Sequence, residues 1–353
     1  MQFGIAFPAS PAARDDVAAA EALGFSHAWL DDSQMLFSDP YISLALCAER
    51  TSTIRLGVGV TNPASRIAPS TANSIATVNK LAPGRTMLGI GTGNTARRTL
   101  GMPAARLSAL EDHVRIVRAL LAGETTEYTE GDRTRDIRFL SDGDRWIDLK
   151  TPIPTYIAGS GPKVLELAGR MADGVILFGT VDPDLIAMAL KRVRIGAEQA
   201  GRDPDSLSIM CMTAFCLTEP GESLESARVR SMVGPFVSSC ANIFALSTSD
   251  PAFFPDHLRR DILAFRDIFV TPDGPVRSRH LELYGGYAVA LRDDVAPLVT
   301  ERMIRATTLT GTSSEIAASV AAMEEAGIDM VAIRPVIDHR ETMETFSREI
   351  IRG

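Results

Sequence analysis

Residues 55–101 read RLGVGVTNPASRIAPSTANSIATVNKLAPGRTMLGIGTGNTARRTLG. Two short apolar runs each end in a cluster of Gly, Thr and Asn, and a helix-like segment, 69–81, lies between them. This rhythm suits parallel strands whose C-terminal ends deliver polar, glycine-rich loops to one common face. In open α/β sheets and in barrels that face is where ligands bind.

The same alternation extends in both directions. A strand at 2–7 is followed by a helix at 11–23 with Val17, Ala20 and Leu23 on one face, and Gly24 stops it. A strand at 27–30 opens on Asp31 and Asp32, and a helix follows at 39–50. Strands at 54–60 and 86–90 and a helix at 106–122 complete four βα units. Further strands are expected at 155–158, 174–178, 207–217 and 330–334, with helices at 162–171, 182–200, 315–326 and 341–351. Eight strands separated by helices predict an α/β fold, a (β/α)8 TIM barrel, as one domain over 1–353. Two segments break the rhythm. Residues 123–150 are charged and Gly-rich and read as a surface excursion with a hairpin, and they hold Trp146. Residues 220–300 are irregularly helical and read as a substrate cap. A doubly wound open sheet is the competing fold, but it needs fewer strands or a linker between two domains.

Composition narrows the function. Lys and Arg total 36 against 44 Asp and Glu, a net charge of −8. That balance argues against a nucleic-acid partner, which requires a basic face. No apolar run reaches the roughly 20 residues of a membrane span, so neither membrane nor secretion is expected and the location is read as cytoplasmic. Cys47, Cys211, Cys216 and Cys240 form no CxxC pair and are expected as buried thiols. The five histidines show no metal-ligand spacing, so no metal is expected.

Three strand ends carry chemistry. Gly57, Gly59, Thr61 and Asn62 end the third strand, where glycine lets backbone approach a flat ligand; a plain turn explains them as well. Gly91, Thr92, Gly93 and Asn94 end the fourth, without the spacing of a dinucleotide fingerprint. Gly159, Ser160, Gly161, Pro162 and Lys163 join a strand to a helix start, an arrangement that suits a phosphate. Asp31 and Asp32 can divide acid and base work if burial separates their pKa values, or form a solvated strand end.

Taken together, segments 28–34 (AWLDDSQ), 55–63, 84–101, 118–124, 153–177 and 308–335 resemble the luciferase-like monooxygenase superfamily, in family order. Within it they are most similar to the branch of methylenetetrahydromethanopterin reductase and bacterial flavin-dependent oxidoreductases. The resemblance implies a barrel that holds reduced FMN or the deazaflavin F420 at the strand ends. It implies a cis peptide at Gly59–Val60 under the ring, Asp32 and Asn94 beside it, and Gly159–Pro162 on the phosphate. Many members carry a histidine just after the position of Asp32, where this chain has Ser33 and Gln34. Asp32, or His280 or Tyr284 from the cap, must then move the proton. Arg97 and Arg98 are candidates to neutralise an acidic cofactor tail. The main expectation is a two-component FMNH2-dependent monooxygenase on a small organic substrate, served by a separate flavin reductase. F420-dependent hydride transfer is the alternative, and a non-catalytic flavin-binding barrel a third reading. The resemblance also implies a homo-oligomer.

Overall fold

The strands form where apolar runs are short, rich in Val, Ile and Leu, and bounded by turn residues. The computed structural model describes residues 1–141, 145–269 and 277–353; residues 142–144 of the expected excursion and 270–276 of the expected cap lie outside them. Its strands are β1 (Gln2–Pro8), β2 (His27–Asp31), β3 (Arg55–Thr61), β4 (Thr86–Ile90), β5 (Thr126–Glu130) and β6 (Arg133–Ile137). They continue as β7 (Thr155–Ala158), β8 (Gly174–Phe178), β9 (Ser208–Leu217), β10 (Thr308–Gly311) and β11 (Met330–Ile333). The helices are α1 (Ala13–Leu23), α2 (Pro40–Arg50), α3 (Ala68–Leu81), α4 (Asn94–Arg98), α5 (Leu107–Leu121), α6 (Pro162–Met171) and α7 (Pro183–Gln199). The remainder are α8 (Ala227–Ser247), α9 (Asp256–Phe269), α10 (Arg279–Leu283), α11 (Glu301–Thr307), α12 (Ser313–Glu325) and α13 (His339–Phe346).

Eight parallel strands close in the order β11-β1-β2-β3-β4-β7-β8-β9, with β9 also paired to β11. Strand alternation sorts the core into two layers. Ala6, Trp29, Met87, Tyr156, Met210 and Met330 belong to a cluster built from strands alone, which fills the barrel interior. Their neighbours Ile5, Leu30, Leu88 and Val331 belong to the cluster shared with the surrounding helices. The interior explains Gly57 and Gly174. A Cβ on Gly57 would sit 2.5 Å from the Trp29 ring, and one on Gly174 would sit 2.2 Å from Tyr156. Trp29 meets Tyr156 edge to face at 5.3 Å. Gly57 is therefore cut to the size of Trp29, and its role is packing.

The Gly59–Val60 peptide is cis, as the resemblance implies. The β3–β4 register shifts between Val58 and Thr61 at this point. Gly89 leaves room for the shift, since a Cβ there would lie 2.5 Å from the Val58 carbonyl oxygen.

Two features depart from the sequence reading. Thr308–Gly311 is a strand, and it pairs with the outer half of β9. Its sequence, TLTG, offers one aliphatic residue in four, and no strand is expected there. The hairpin of the excursion is β5–β6, whereas Trp146 lies outside it, exposed, with Arg145 over its ring at 4.6 Å.

The cap has a core of its own. Val233, Phe236 and Phe244 of α8 pack with Leu258, Ile262 and Phe265 of α9. Burial of each such side chain contributes about 1.5–3 kcal/mol. α8 also corrects the expectation about membrane spans. Its 21 residues are long and apolar enough to cross one, but 67% of its most apolar window is buried within the protein. The four cysteines are buried and unpaired. Burial pushes the Cys47 and Cys211 thiols up to about 12.

Candidate cofactor and substrate site

A cavity of about 360 Å³ opens at the C-terminal ends of the barrel strands, beneath the cap. β2 delivers Asp31 and Asp32 to it, β3 delivers Gly59 and Val60, and the turn after β4 delivers Gly91, Thr92, Gly93 and Asn94. Gly159, Ser160, Gly161 and Lys163 line it from the β7–α6 connection. Three sequence clusters that lie far apart in the chain thus meet in one cavity.

The β7–α6 connection leaves backbone donors free at the cavity. Gly161 is the N-cap of α6 with no side-chain cap, and Pro162 occupies the first turn. The first-turn N–H groups, beginning with Lys163 and Val164, have no acceptor within the helix. The helix dipole and the exposed Lys163 ammonium add positive potential at the same end. The loop cannot carry larger side chains. A Cβ on Gly161 would lie 2.4 Å from the Ser247 carbonyl oxygen of α8, and one on Gly159 would lie 2.5 Å from Val164. Pro162 starts the helix and does not line the cavity.

Thr61 and Asn62 are also behind the cavity wall rather than in it. Asn62 is fully buried and shapes the turn: its Oδ1 accepts from the Ala64 and Ser65 amides at 3.0 and 3.1 Å, and its Nδ2 donates to Ser65 Oγ at 2.8 Å. It also explains Gly93, where a Cβ would come within 2.6 Å of Asn62 Cγ. Asn94 lines the cavity and donates to Asn242 Oδ1 of α8 at 3.3 Å, so it ties the barrel to the cap.

The two cap residues expected to move a proton do not line the cavity. His280 rests against Gly101, where a Cβ would lie 2.9 Å from its Nδ1. Tyr284 is buried in the cap core, and its hydroxyl accepts from Asn242 Nδ2 at 3.5 Å. Tyr287, three residues on, faces the cavity instead, donating its hydroxyl to the Ser239 carbonyl at 3.3 Å. Arg97 and Arg98 do not line the cavity either; Arg97 Nε donates to the Pro103 carbonyl at 2.6 Å.

Asp31 and Asp32 have different surroundings. Asp31 Oδ2 accepts from Arg334 Nη2 at 2.8 Å and Nε at 3.2 Å. Burial pushes its carboxyl up, and the Arg334 guanidinium pulls it down. Arg334 is 3% exposed and also donates from Nη1 to the Ala288 carbonyl at 3.0 Å. Ala288 holds a left-handed backbone at φ 66°, uncommon without glycine. Asp32 has no such cation in contact. Its Oδ2 is buried without a hydrogen-bond partner, as are Thr61 Oγ1 and the Tyr41 hydroxyl. Burial pushes the Asp32 carboxyl up, against the nearby Thr61 hydroxyl and Arg66 guanidinium. Burial thus raises both carboxyls, Asp31 with a permanent cation in contact and Asp32 without one.

Sequence reasoning singled out Asp31 but did not connect it to Arg334, 303 residues away. An arginine closing the buried run MVAI was the available signal. The cap residues Ile243 and Leu246, which face the cavity, had none. Outside the cavity, Asp182, Asp184 and His257 place their ligand atoms within 4.8 Å of one another, a grouping that histidine spacing alone does not predict. The protein uses this cluster itself: Asp182 Oδ1 caps α7, and Oδ2 meets His257 Nε2 at 2.9 Å.

The family model for luciferase-like monooxygenases matches residues 8–330. The chain is 34% identical over 232 residues to a 5,10-methylenetetrahydromethanopterin reductase from Methanolobus tindarius, covering 64% of this chain and 69% of that one. It is 35% identical over 203 residues to an F420-dependent hydroxymycolic acid dehydrogenase from Mycobacterium tuberculosis, covering 54% of each. The solved F420-dependent tetrahydromethanopterin reductase from Methanopyrus kandleri shares the fold at a TM-score of 0.72 and 23% identity, over 99% of this chain and 98% of that one. Because the family match runs from the end of β1 to the start of β11, this chain belongs to the luciferase-like monooxygenase family.

Proposed function

We propose that this protein is an F420-dependent oxidoreductase that transfers hydride to or from a small organic substrate. The observation that carries this reading is the naming of the relatives matched at about a third identity: one is a reductase and the other an F420-dependent dehydrogenase. Support for an FMNH2-dependent monooxygenase stays at the level of the family description and of solved monooxygenases that share the fold at 14–19% identity. A hydride-transfer enzyme also needs no separate flavin reductase.

The residues present fit such a cofactor. The uncapped α6 N-terminus, Ser160 and Lys163 form a cradle for its phosphate, at a loop whose glycines exclude larger side chains. Gly59 and Val60 offer a backbone shelf for the ring, and Thr92 and Asn94 offer polar groups along its edge. When bound, the deazaflavin supplies a ring carbon that accepts or gives hydride. Asp32, whose pKa burial raises, is the carboxyl placed to exchange a proton beside that ring.

Anaerobic titration with F420 and with FMN, read by the fluorescence of the bound cofactor, tests the proposal. F420 is expected to bind at least about tenfold more tightly, a difference of about 1.4 kcal/mol. Tight FMN binding with no uptake of F420 rejects it.

A further inference from the structure

The cavity has two ends of different chemistry. Lys163 and the anion cradle follow β7. Asp31 ends β2 and Arg334 follows β11, so their ion pair bridges across β1. In the closed order β11-β1-β2-β3-β4-β7-β8-β9, β1 stands four strands from β7 in either direction. The Asp31–Arg334 pair therefore stands across the barrel mouth from the phosphate loop.

Four charged side chains line the cavity among the described residues: Asp31, Asp32, Lys163 and Arg334. The segments 142–144 and 270–276 contain no Lys, Arg or His. Lys163 belongs to the cradle. Arg334 is committed to Asp31 and to the Ala288 carbonyl. A phosphate or carboxylate on this side would have to compete with Asp31 for Arg334, with Asp32 alongside. Breaking a buried pair in this way is strongly unfavourable, because it leaves an uncompensated buried charge. An ammonium would meet the fixed guanidinium. Ala288, whose carbonyl meets Arg334, stands beside the pair, and the apolar lining of the cavity elsewhere includes Phe178 and Met212 from the barrel and Ile243 and Leu246 from α8.

The pair nevertheless offers one polar point. Arg334 spends three of its five N–H donors on Asp31 and Ala288, which leaves two. Its bonds to Asp31 run through Oδ2 alone and leave Oδ1 as an acceptor. A donor beside an acceptor matches a hydroxyl, and the donor alone matches a carbonyl oxygen.

We propose that the half of the cavity away from the phosphate loop takes an uncharged compound with an apolar body and a single hydroxyl or carbonyl oxygen, fixed by the Asp31–Arg334 pair. This deepens the proposed function and rests on it for the reaction, though not for the binding. It departs from any substrate recognised through its own phosphate.

The test uses one ring with five head groups: cyclohexanol, cyclohexanone, cyclohexylamine, cyclohexanecarboxylate and cyclohexyl phosphate. Binding is read by thermal shift on the cofactor-free protein and by fluorescence of bound F420 on the loaded one. The alcohol and ketone are expected to bind at least about tenfold more tightly than the three charged members, since only they use the free donor and acceptor without disturbing the pair. Asp31→Asn is expected to weaken cyclohexanol about tenfold while the affinity for F420 stays within about twofold. Ile243→Lys adds a cation to the wall without touching the pair, and it is expected to bring in the carboxylate. A charged member that binds the unaltered protein as well as the alcohol overturns the proposal. So does the absence of binding by either neutral member, or unchanged cyclohexanol binding in folded Asp31→Asn. If F420 itself fails to bind, the cofactor reading falls, while the panel on the cofactor-free protein still decides the substrate class.

Discussion

Asp32 keeps its Oδ2 buried and unpartnered beside two other unpartnered polar atoms, Thr61 Oγ1 and the Tyr41 hydroxyl. Asp31, one residue earlier, holds a buried arginine. The two carboxyls both reach the cavity but have different partners although they are covalent neighbours. This has a measurable consequence for stability. Burial raises the Asp32 pKa in the folded state above its unfolded value. Such a group contributes stability that is fully present below the unfolded pKa and is lost as pH rises through the folded pKa. Asparagine stays neutral throughout. Asp32→Asn is therefore expected to gain thermal stability relative to the unaltered protein as pH rises from about 4 to 8. Melting curves across that range check it, and a difference that does not change with pH rejects the assignment. Glycine shows the same dependence on environment. Gly57 looks like a ligand-approach residue in the run RLGVGV, yet the ring it accommodates is Trp29.

At the scale of elements, α6 was the most legible part of the site. Strand, Gly-Ser-Gly-Pro and amphipathic helix are contiguous in one βα unit, so local sequence carries both the fold and the anion cradle. Lys163 is exposed on the first turn of that helix and is not part of the core. Lys163→Ala is expected to weaken F420 binding about tenfold, or about 1.4 kcal/mol, with little change in melting temperature. Fluorescence titration beside a melting curve measures both, and unchanged affinity removes Lys163 from the cradle. β10 was not legible. Four residues with two threonines and a glycine carry no period, and only the outer half of a long β9 gives them a partner. α8 was legible as helical but not as a cavity wall, because the side facing the barrel is set by docking.

For the whole molecule, the cap matters because it completes the cavity. Its core, centred on Phe236, Phe244 and Phe265, is a separate cluster from the one between the barrel strands and their helices. We read the chain as one barrel domain carrying this cap as an insertion. Separate cores open with separate free energies. Hydrogen exchange is expected to show α8 and α9 exchanging at least about tenfold faster than β1–β4, with α8 slowed when F420 binds. Equal protection in barrel and cap, unchanged by cofactor, makes them a single cooperative unit and overturns this reading.

The sequence by itself determined the barrel, its strand order along the chain and the glycine loop that opens α6. Each of these rests on patterns within a few tens of residues: apolar runs, helix periods, and glycines at turns. The tertiary structure alone decided what the strand ends face. It joined Asp31 to Arg334 across 303 residues, buried Asp32 with no cation in contact, and put Ile243 and Leu246 on the cavity. It also set His280 against Gly101 and Tyr284 in the cap core. The physical reason is that acid strength, pairing and access depend on which distant groups share a desolvated space, and barrel closure and cap docking set that, whereas local propensity does not.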